Sequence, residues 1–422
     1  MADVKFEVVR VALSTGVATT TQDIDISGFG EPSAAIFITG YAAADDVIRG
    51  AASMAIGFTD GTNENCMSAS INNGAATTNT SRAQRTDCVI AQVSNDAVFA
   101  RFSFNAWTSN GVQIIVDDQD TTSRLCTVIL IGGADVSGAF VGIKDLGTGT
   151  SAVTCTGALF EPDLVFATCT GNAAASPVAG AAGILSFGCA HNDTTVKQGA
   201  ILIGSHDGQS ATVADTVVAN DSLCGQLYGG TYAWHGGVTS FDADGFSVTP
   251  SSSASNDDIY YLALKFANSP DISLFDMTWP DTGSYAETTP GFTPNFGMIA
   301  AGAGATARNT KASTNGLAMS IATFDDSPVV YTHTITDEDA ATTTVSRTLA
   351  SDQLRILHPD GATNDVVATH AFDADGWDFT ISTNPAADIL GWGLAIGAGA
   401  AGGSLSIPIA AYHYRNNIGS RL

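Results

Sequence analysis

The chain has 422 residues, of which 16 are Lys or Arg and 42 are Asp or Glu, for a formal charge of −26. Hydrophobic residues make up 45%, enough to build packed cores, so a disordered acidic tail is excluded, and the length sets an expectation of roughly two to four domains. The negative balance repels phosphate backbones and anionic lipid over about 8 Å at physiological salt, which argues against nucleic acid and membranes as partners.

Only 14% of residues are charged, and 44 glycines, 12 prolines and long Ala/Thr/Ser/Asn stretches fill much of the rest. That mixture is poor in helix formers and rich in strand and turn formers, so the expected class is all-β. The segment Met1 to Glu7 is charged from its third residue and lacks the apolar core of a signal peptide, so synthesis in the cytoplasm is expected. The seven cysteines, Cys66, Cys88, Cys126, Cys155, Cys169, Cys189 and Cys224, form no C-x-x-C pair and none follows residue 224. An odd set so distributed reads as buried free thiols from a reducing compartment.

In chain order, the first block opens at Ile24 to Pro32, runs into an apolar strand at Ala35 to Gly40 and a second at Met54 to Asp60, and closes on Leu125 to Ile131. The second opens at Thr156 to Pro162, continues with Leu164 to Gly171 and Ile184 to Gly188, and closes on Tyr260 to Phe266. The third repeats the order with Thr289 to Pro294, Phe296 to Gly302, Met319 to Asp325 and Leu390 to Ile396. The landmark prolines Pro32, Pro162 and Pro294 lie 130 and 132 residues apart. Phe241-Asp-Ala-Asp-Gly-Phe246 and Phe372-Asp-Ala-Asp-Gly-Trp377 lie 131 apart, with a looser counterpart at Phe104 to Val112. One order of landmarks at one period marks a tandem triplicate.

Apolar runs of four to eight residues bounded by Gly, Pro, Asn or Asp read as strands, and about 130 residues hold eight or more of them. The expected architecture is three tandem antiparallel β-sandwich, jelly-roll-like domains at 1–137, 138–269 and 270–397, with junctions near 133–142 and 267–271. In the Asp-Gly pairs, glycine supplies the positive φ of a tight hairpin turn. No charged residue falls between Asp388 and Arg415, but six glycines and Pro408 disfavour a membrane helix there. That stretch reads as a strand followed, over 398–422, by a Gly/Ala link and a C-terminal arm.

At Phe160, Pro162, Phe241, Asp244, Gly245, Phe246 and Tyr261-Leu-Ala-Leu264 the sequence resembles tandem β-sandwich repeat modules of tailed-bacteriophage virion structural proteins. The resemblance spans residues 8 to about 397. It implies a virion component on the outer surface, of head-decoration or tail-fibre type, and it implies no catalytic residue.

The candidate sites are few. Asp242, Asp244, Asp373 and Asp375 could offer paired carboxylates to Ca²⁺, although turn formation explains them more simply. Tyr228, Tyr232, Trp234 and His235 could form a platform for a host-surface glycan, whereas Trp377 and Trp392 read as core. Ser205-His206-Asp207 is contiguous, and a catalytic triad needs members that converge in space. Gly397 to Gly402 satisfies G-x-G-x-x-G, but Pro408 and the glycines that follow do not open a helix for a pyrophosphate. The arm, with Tyr412, Tyr414, Arg415 and Arg421 and no acid, suits docking on an acidic neighbour. The expectation is a non-enzymatic virion protein without a cofactor, assembling with itself and with other virion proteins. The alternatives are a glycan-binding adhesin and a polysaccharide-degrading enzyme.

Overall fold

A computed structural model describes residues 3–171, 178–228, 231–252, 254–255, 257–279, 284–303, 305, 307–311, 316–359, 364–383 and 389–397. The expected arm at 398–422 lies outside the described residues, as does the G-x-G-x-x-G stretch after Gly397. Every ordered element among the described residues is a β-strand, and every paired strand is antiparallel apart from one isolated bridge. Leu125–Gly132, for example, is a continuous run of β-branched and aliphatic side chains closed by glycine, a composition that packs well on a pleated surface and poorly in a helix.

Thirty of the 34 strands among the described residues fall into three units of ten, each with the same order. In the first unit a six-strand sheet runs Lys5–Ala12, Leu125–Gly132, Ala34–Gly40, Ala52–Thr59, Glu64–Ile71, Thr80–Arg85. A four-strand sheet runs Thr21–Asp25, Gly111–Asp118, Ala97–Trp107, Ile90–Ser94. Counted along the chain, the large sheet is 1-10-3-4-5-6 and the small one 2-9-8-7, and both orders recur in the second and third units. Pairing first with tenth and second with ninth gives a nested, sandwich-like connectivity of jelly-roll type. The hairpin between eighth and ninth strands is Asp242 to Gly245 in the second unit, Phe372 to Trp377 in the third and Trp107 to Gly111 in the first. The loose first motif therefore occupies the same place as the two sharp ones. The second unit's first strand is Val136–Asp145. The junction expected near 133–142 is thus mostly strand, because Val136, Phe140 and Val141 gain partners on the closing strand Asp258–Phe266.

Side-chain alternation divides each large sheet between two cores. In the third strand of the first unit, Ala35 and Phe37 face the unit's own small sheet. Ala34, Ile36 and Ile38 face the other way, into a core shared by all three units. Val165 and Ala167 face inward in the second unit, while Leu164 and Phe166 face the shared core. The third unit repeats this with Ile299 and Ala301 against Met298 and Ala300. The three units therefore form one body around a common centre. Phe6 of the first unit meets Phe266 of the second at 6.4 Å and Phe296 of the third at 5.1 Å, centroid to centroid.

Close backbone approach fixes a few glycines. A Cβ at Gly57 would stand 1.9 Å from the carbonyl oxygen of Val89, and one at Gly188 would stand 2.1 Å from that of Leu223. Both sit where the fourth strand passes beneath the start of the small sheet, a space only glycine leaves open.

The contacts between units run in a ring. Arg49–Gly50 of the first unit pairs with the sixth strand of the third, Ser346–Ser351. Val178–Ala181 of the second pairs with the sixth strand of the first, Thr80–Arg85. In the third unit Asn309 donates its amide to the carbonyl of Val218, on the sixth strand of the second, at 2.9 Å. Each sixth-strand edge is thus met by the neighbour's third-to-fourth-strand loop, which blunts a template for aggregation.

A second ring links the hairpins between fifth and sixth strands. Thr78 donates its amide to Gln209 O at 2.9 Å, Thr212 to Ala341 O at 3.0 Å and Thr344 to Ala75 O at 2.9 Å. In return Gly208, Ala340 and Gly74 donate to the carbonyls of these threonines at 2.9, 2.9 and 2.8 Å. Two residues on, the amides of Thr80, Ala214 and Ser346 donate to Asp207 Oδ1, Asp339 Oδ1 and Asn73 Oδ1. The same three-bond pattern recurs at three junctions, which is a quasi-threefold arrangement built within one chain.

Asp337 ends the third unit's fifth strand beside this ring and is fully buried. Ser205 Oγ donates to its Oδ2 at 2.8 Å, while its Oδ1 has no hydrogen-bond partner among the described residues. Burial pushes its carboxyl up to about 7, helped by Asp339 and Glu338 and opposed by the serine.

Two outcomes follow. Because the three units share one core and two hydrogen-bonded rings, calorimetric unfolding should be one cooperative transition, and Thr212→Val should lower stability by about 1–2 kcal/mol, since the half-buried Glu338 carbonyl and Ala341 amide lose the Thr212 hydroxyl. A transition that splits into independent steps would contradict the shared core. A raised folded-state pKa means that Asp337 contributes fully below its unfolded value near 3.9 and loses that contribution as pH rises through about 7. Asp337→Asn should therefore melt higher than the parent at pH 8 and close to it at pH 4, as read by differential scanning fluorimetry.

Candidate functional site

The repeated aspartates serve their own turns. Asp244 Oδ1 accepts from the amides of Gly157 at 3.2 Å and Leu159 at 2.8 Å, tying the hairpin to the loop after the second strand. Asp242 Oδ2 accepts from Ser247 Oγ at 2.8 Å. In the third unit Asp373 Oδ1 accepts from the amide of Asp375 at 3.2 Å, and the carbonyl of Asp375 accepts from Gly291 N at 2.8 Å. The carboxylates of Asp242, Asp244 and Asp373 are directed at backbone donors and a neighbouring hydroxyl rather than at one point in space. Among the described residues no group of three or more His, Cys, Asp or Glu side chains could hold a metal ion.

The expected aromatic platform does not form. Trp234 is 1% exposed, packs with Cys155, Phe246 and Val248, and donates its indole N–H to buried Asp257. Its inward position on a strand puts the next residue, His235, on the opposite face, so the two cannot offer coplanar rings. His235 Nδ1 instead meets Ser222 Oγ at 2.6 Å, and burial lowers its pKa. Tyr228 is 44% exposed but packs its ring 4.8 Å from His206. The side chain of Tyr232 lies outside the described residues, as do Tyr412, Tyr414, Arg415 and Arg421. Trp377 and Trp392 are core, as their places in the repeat indicated.

Two Ser-His-Asp groupings also separate on inspection. Ser205 Oγ donates to Asp337, Asp207 Oδ1 accepts from the amide of Thr80 and His206 packs at a tilt against Tyr228. In the other, Ser222 and Asp221 both approach Nδ1 of His235, at 2.6 and 3.6 Å. A relay needs the acid on one ring nitrogen and the hydroxyl on the other. The seven cysteines are buried and free, and burial raises the thiols of Cys66 and Cys155 to about 12, far from a reactive thiolate.

Carboxylates cluster most densely in the first unit, around Arg101. Its guanidinium lies 2.6 Å from Asp87 and 3.1 Å from Asp118. Glu64 Oε2 accepts from the amide of Phe104 at 2.7 Å, and burial raises this carboxyl to about 7. Arg85 reaches Asp87 through two nitrogens at 2.8 and 2.6 Å. The cluster joins the fifth, sixth, eighth and ninth strands, and its geometry is that of an ion-paired seam.

A different set of residues opens to solvent. A groove of about 630 Å³ at the rim of the first unit is lined by Tyr41, Arg49, Ser94, Asn95, Phe99 and Arg124. Tyr41 Oη donates to Val93 O at 2.5 Å, and the Tyr41 and Phe99 rings lie 6.0 Å apart. Arg124 lies over the Tyr41 ring at 5.3 Å, donates to Tyr41 O at 2.7 Å and pairs with Asp120 at 2.8 Å. Arg49 arrives on the loop that crosses to the third unit, and its Nε is buried with no hydrogen-bond partner among the described residues. Asn95 takes positive φ in the seventh-to-eighth-strand turn, and its Oδ1 accepts from Asn72 at 3.1 Å and Asn79 at 2.8 Å. Gly50, Asn72, Asn73 and Asn79 continue the surface into an adjoining hollow of about 550 Å³. Neither hollow has an acidic lining residue. Sequence reasoning missed this groove because its residues are scattered from 41 to 124, and Arg49 and Arg124 are two of seven cations in the first block, with nothing local to single them out.

No family model matches the sequence, and no curated protein matches it.

The turn carboxylates generate a direct expectation: Ca²⁺ or a chelator should leave the melting temperature unchanged. An ion held at a hundred times its Kd would instead add about 2.7 kcal/mol, a shift that thermal scans with and without EDTA would reveal.

Proposed function

We propose that this chain is a non-enzymatic structural component of a tailed-phage virion, held on the outer surface and assembling with copies of itself and with other virion proteins. The observation that carries the reading is the closed ring of three like units about a common core. A single chain with quasi-threefold form offers three similar faces at once, so it can seat on a threefold or quasi-threefold position of a shell and meet equivalent neighbours on each side. Head decoration suits that form better than a tail fibre, because the ring of units closes within one chain, with each sixth-strand edge met by a neighbouring unit. The charge of −26 suits an outward face, away from packaged nucleic acid. The residue chemistry agrees with a building role: Arg10, for instance, spends its guanidinium on the first-to-third seam, donating to Ser351 O at 2.8 Å and Thr332 O at 3.0 Å.

Immunogold labelling of intact virions tests the proposal. Label over the capsid exterior is expected; label confined to the tail would favour the fibre, and label only inside opened heads would refute a surface position. Removing residues 398–422, with their two arginines and no acid, should reduce incorporation into particles while leaving the melting temperature of the purified protein unchanged.

A further inference from the structure

The groove of the first unit combines features that the rest of the molecule keeps apart. In a chain with 42 acidic residues, its lining carries two arginines and no carboxylate. One arginine is committed: Arg124 is fixed by Asp120, the Tyr41 carbonyl and the Tyr41 ring. The other is not, since the Nε of Arg49 is desolvated and has no hydrogen-bond partner among the described residues. A buried guanidinium N–H without an acceptor costs stability unless something supplies one. Its backbone is meanwhile held by pairing with Thr348 of the third unit, so the side chain starts from a rigid strand.

The Arg124 cation of the groove is not repeated in the second unit. In strand register Arg124 of the first unit corresponds to Asp257 of the second, which is buried and accepts the indole N–H of Trp234, and Asp258 follows it. Asp258 faces Gln84 at 3.2 Å, and burial raises its carboxyl to about 6. A purely architectural repeat has no need to reverse charge at a matched position. Around the cations stand an apolar face from Phe99 and a rim of amides and a hydroxyl from Asn95, Asn72, Asn79 and Ser94. A carboxylate answers the guanidinium, an apolar ring face answers the phenyl edge, and several hydroxyls answer the amides.

We infer that this groove binds an acidic saccharide, with Arg49 receiving a sugar carboxylate, Phe99 packing on a pyranose face and the asparagine rim reading hydroxyls. Its openness and its continuation past Gly50 into the amide-lined hollow fit a segment of a polymer rather than an enclosed small molecule. An acidic peptide would satisfy the arginines but leave the amide rim without its array of hydroxyls. The inference goes beyond the virion reading, and binding by purified protein is independent of where the protein sits on a particle.

Isothermal titration of the full-length chain with trigalacturonate tests it, with maltotriose as the neutral comparison and tri-glutamate as the acidic peptide. Trigalacturonate should bind, maltotriose and tri-glutamate should bind at least about tenfold more weakly, and added salt should weaken binding because the site is open to solvent. Arg49→Gln and, separately, Phe99→Ala should each weaken trigalacturonate by about tenfold or more, a loss of about 1.4 kcal/mol or more. Arg49→Gln keeps the backbone pairing and removes an unmatched N–H, so its melting temperature should be no lower than the parent's, which separates lost recognition from lost folding. Absence of trigalacturonate binding, equal binding of tri-glutamate, or full binding by a folded Arg49→Gln protein would each overturn the inference.

Discussion

Each large sheet is apolar on both faces, and that single condition organises the molecule. A sheet with one buried face can end at a two-layer sandwich, but one with two buried faces must find a second cover. Here the cover is the other two large sheets, whose outward residues, such as Ile36, Phe166 and Met298, meet in one core. Three twisted sheets that close on a common centre leave their lateral edges side by side. Loops at 49–50, 178–181 and near Asn309 then have an edge strand within reach, and each adds to its neighbour in the same rotational sense. The ring of strand additions follows from the geometry of the core.

Much of the architecture was legible because turn chemistry and apolar runs are local. The strands after Pro32, Pro162 and Pro294, the Asp-Gly hairpin and the closing strands all fall where the repeat placed them. The shared core was less legible. A run such as Ala34-Ala-Ile-Phe-Ile-Thr-Gly40 says that both faces are buried, but it cannot say whether the second cover comes from the same unit or from another. The glycan platform failed for a related reason. Trp234 and His235 are adjacent in sequence, and a strand sends adjacent side chains to opposite faces, one into the core and one toward Ser222. The groove at Arg49 and Arg124 could not be read at all, since the loop carrying Arg49 is positioned by a strand roughly three hundred residues away in sequence, and no local pattern encodes that pairing.

Alike in strand order, the three seams between units differ in chemistry. Between first and third, Arg10 and His333 share Thr127 Oγ1, and burial together with Arg10 holds the histidine neutral by lowering its pKa well below the usual range. Between first and second, Gln84 meets Asp258. Between second and third, Lys311 pairs with Asp215 at 3.1 Å and Asn220 exchanges amide hydrogen bonds with Asn309. Buried polar contacts of this kind add little net stability, because desolvation offsets their attraction. Their effect is on pairing: a unit placed against the wrong neighbour would bury Arg10 or Asp258 without an answering group. The apolar core supplies cohesion that is indifferent to order, and the seams supply the order.

Joining the three units covalently changes what they can become. Three separate chains would assemble only above a threshold concentration and would be constrained to identical sequences. In one chain the second and third units meet the first at an effective concentration set by short connections such as 133–135 and 267–270, so the ring closes regardless of dilution. Each copy is then free to diverge wherever the shared core and the hairpin ring are not involved. Thr78, Thr212 and Thr344 remain in equivalent roles because each is bonded to its neighbour's backbone, whereas Arg124 and Asp257, matched just before the tenth strand, carry opposite charge. Divergence at the rim over constancy at the axis is what a fused ring permits and a homotrimer forbids. It allows one face of a quasi-symmetric body to recognise something that its two sister faces ignore.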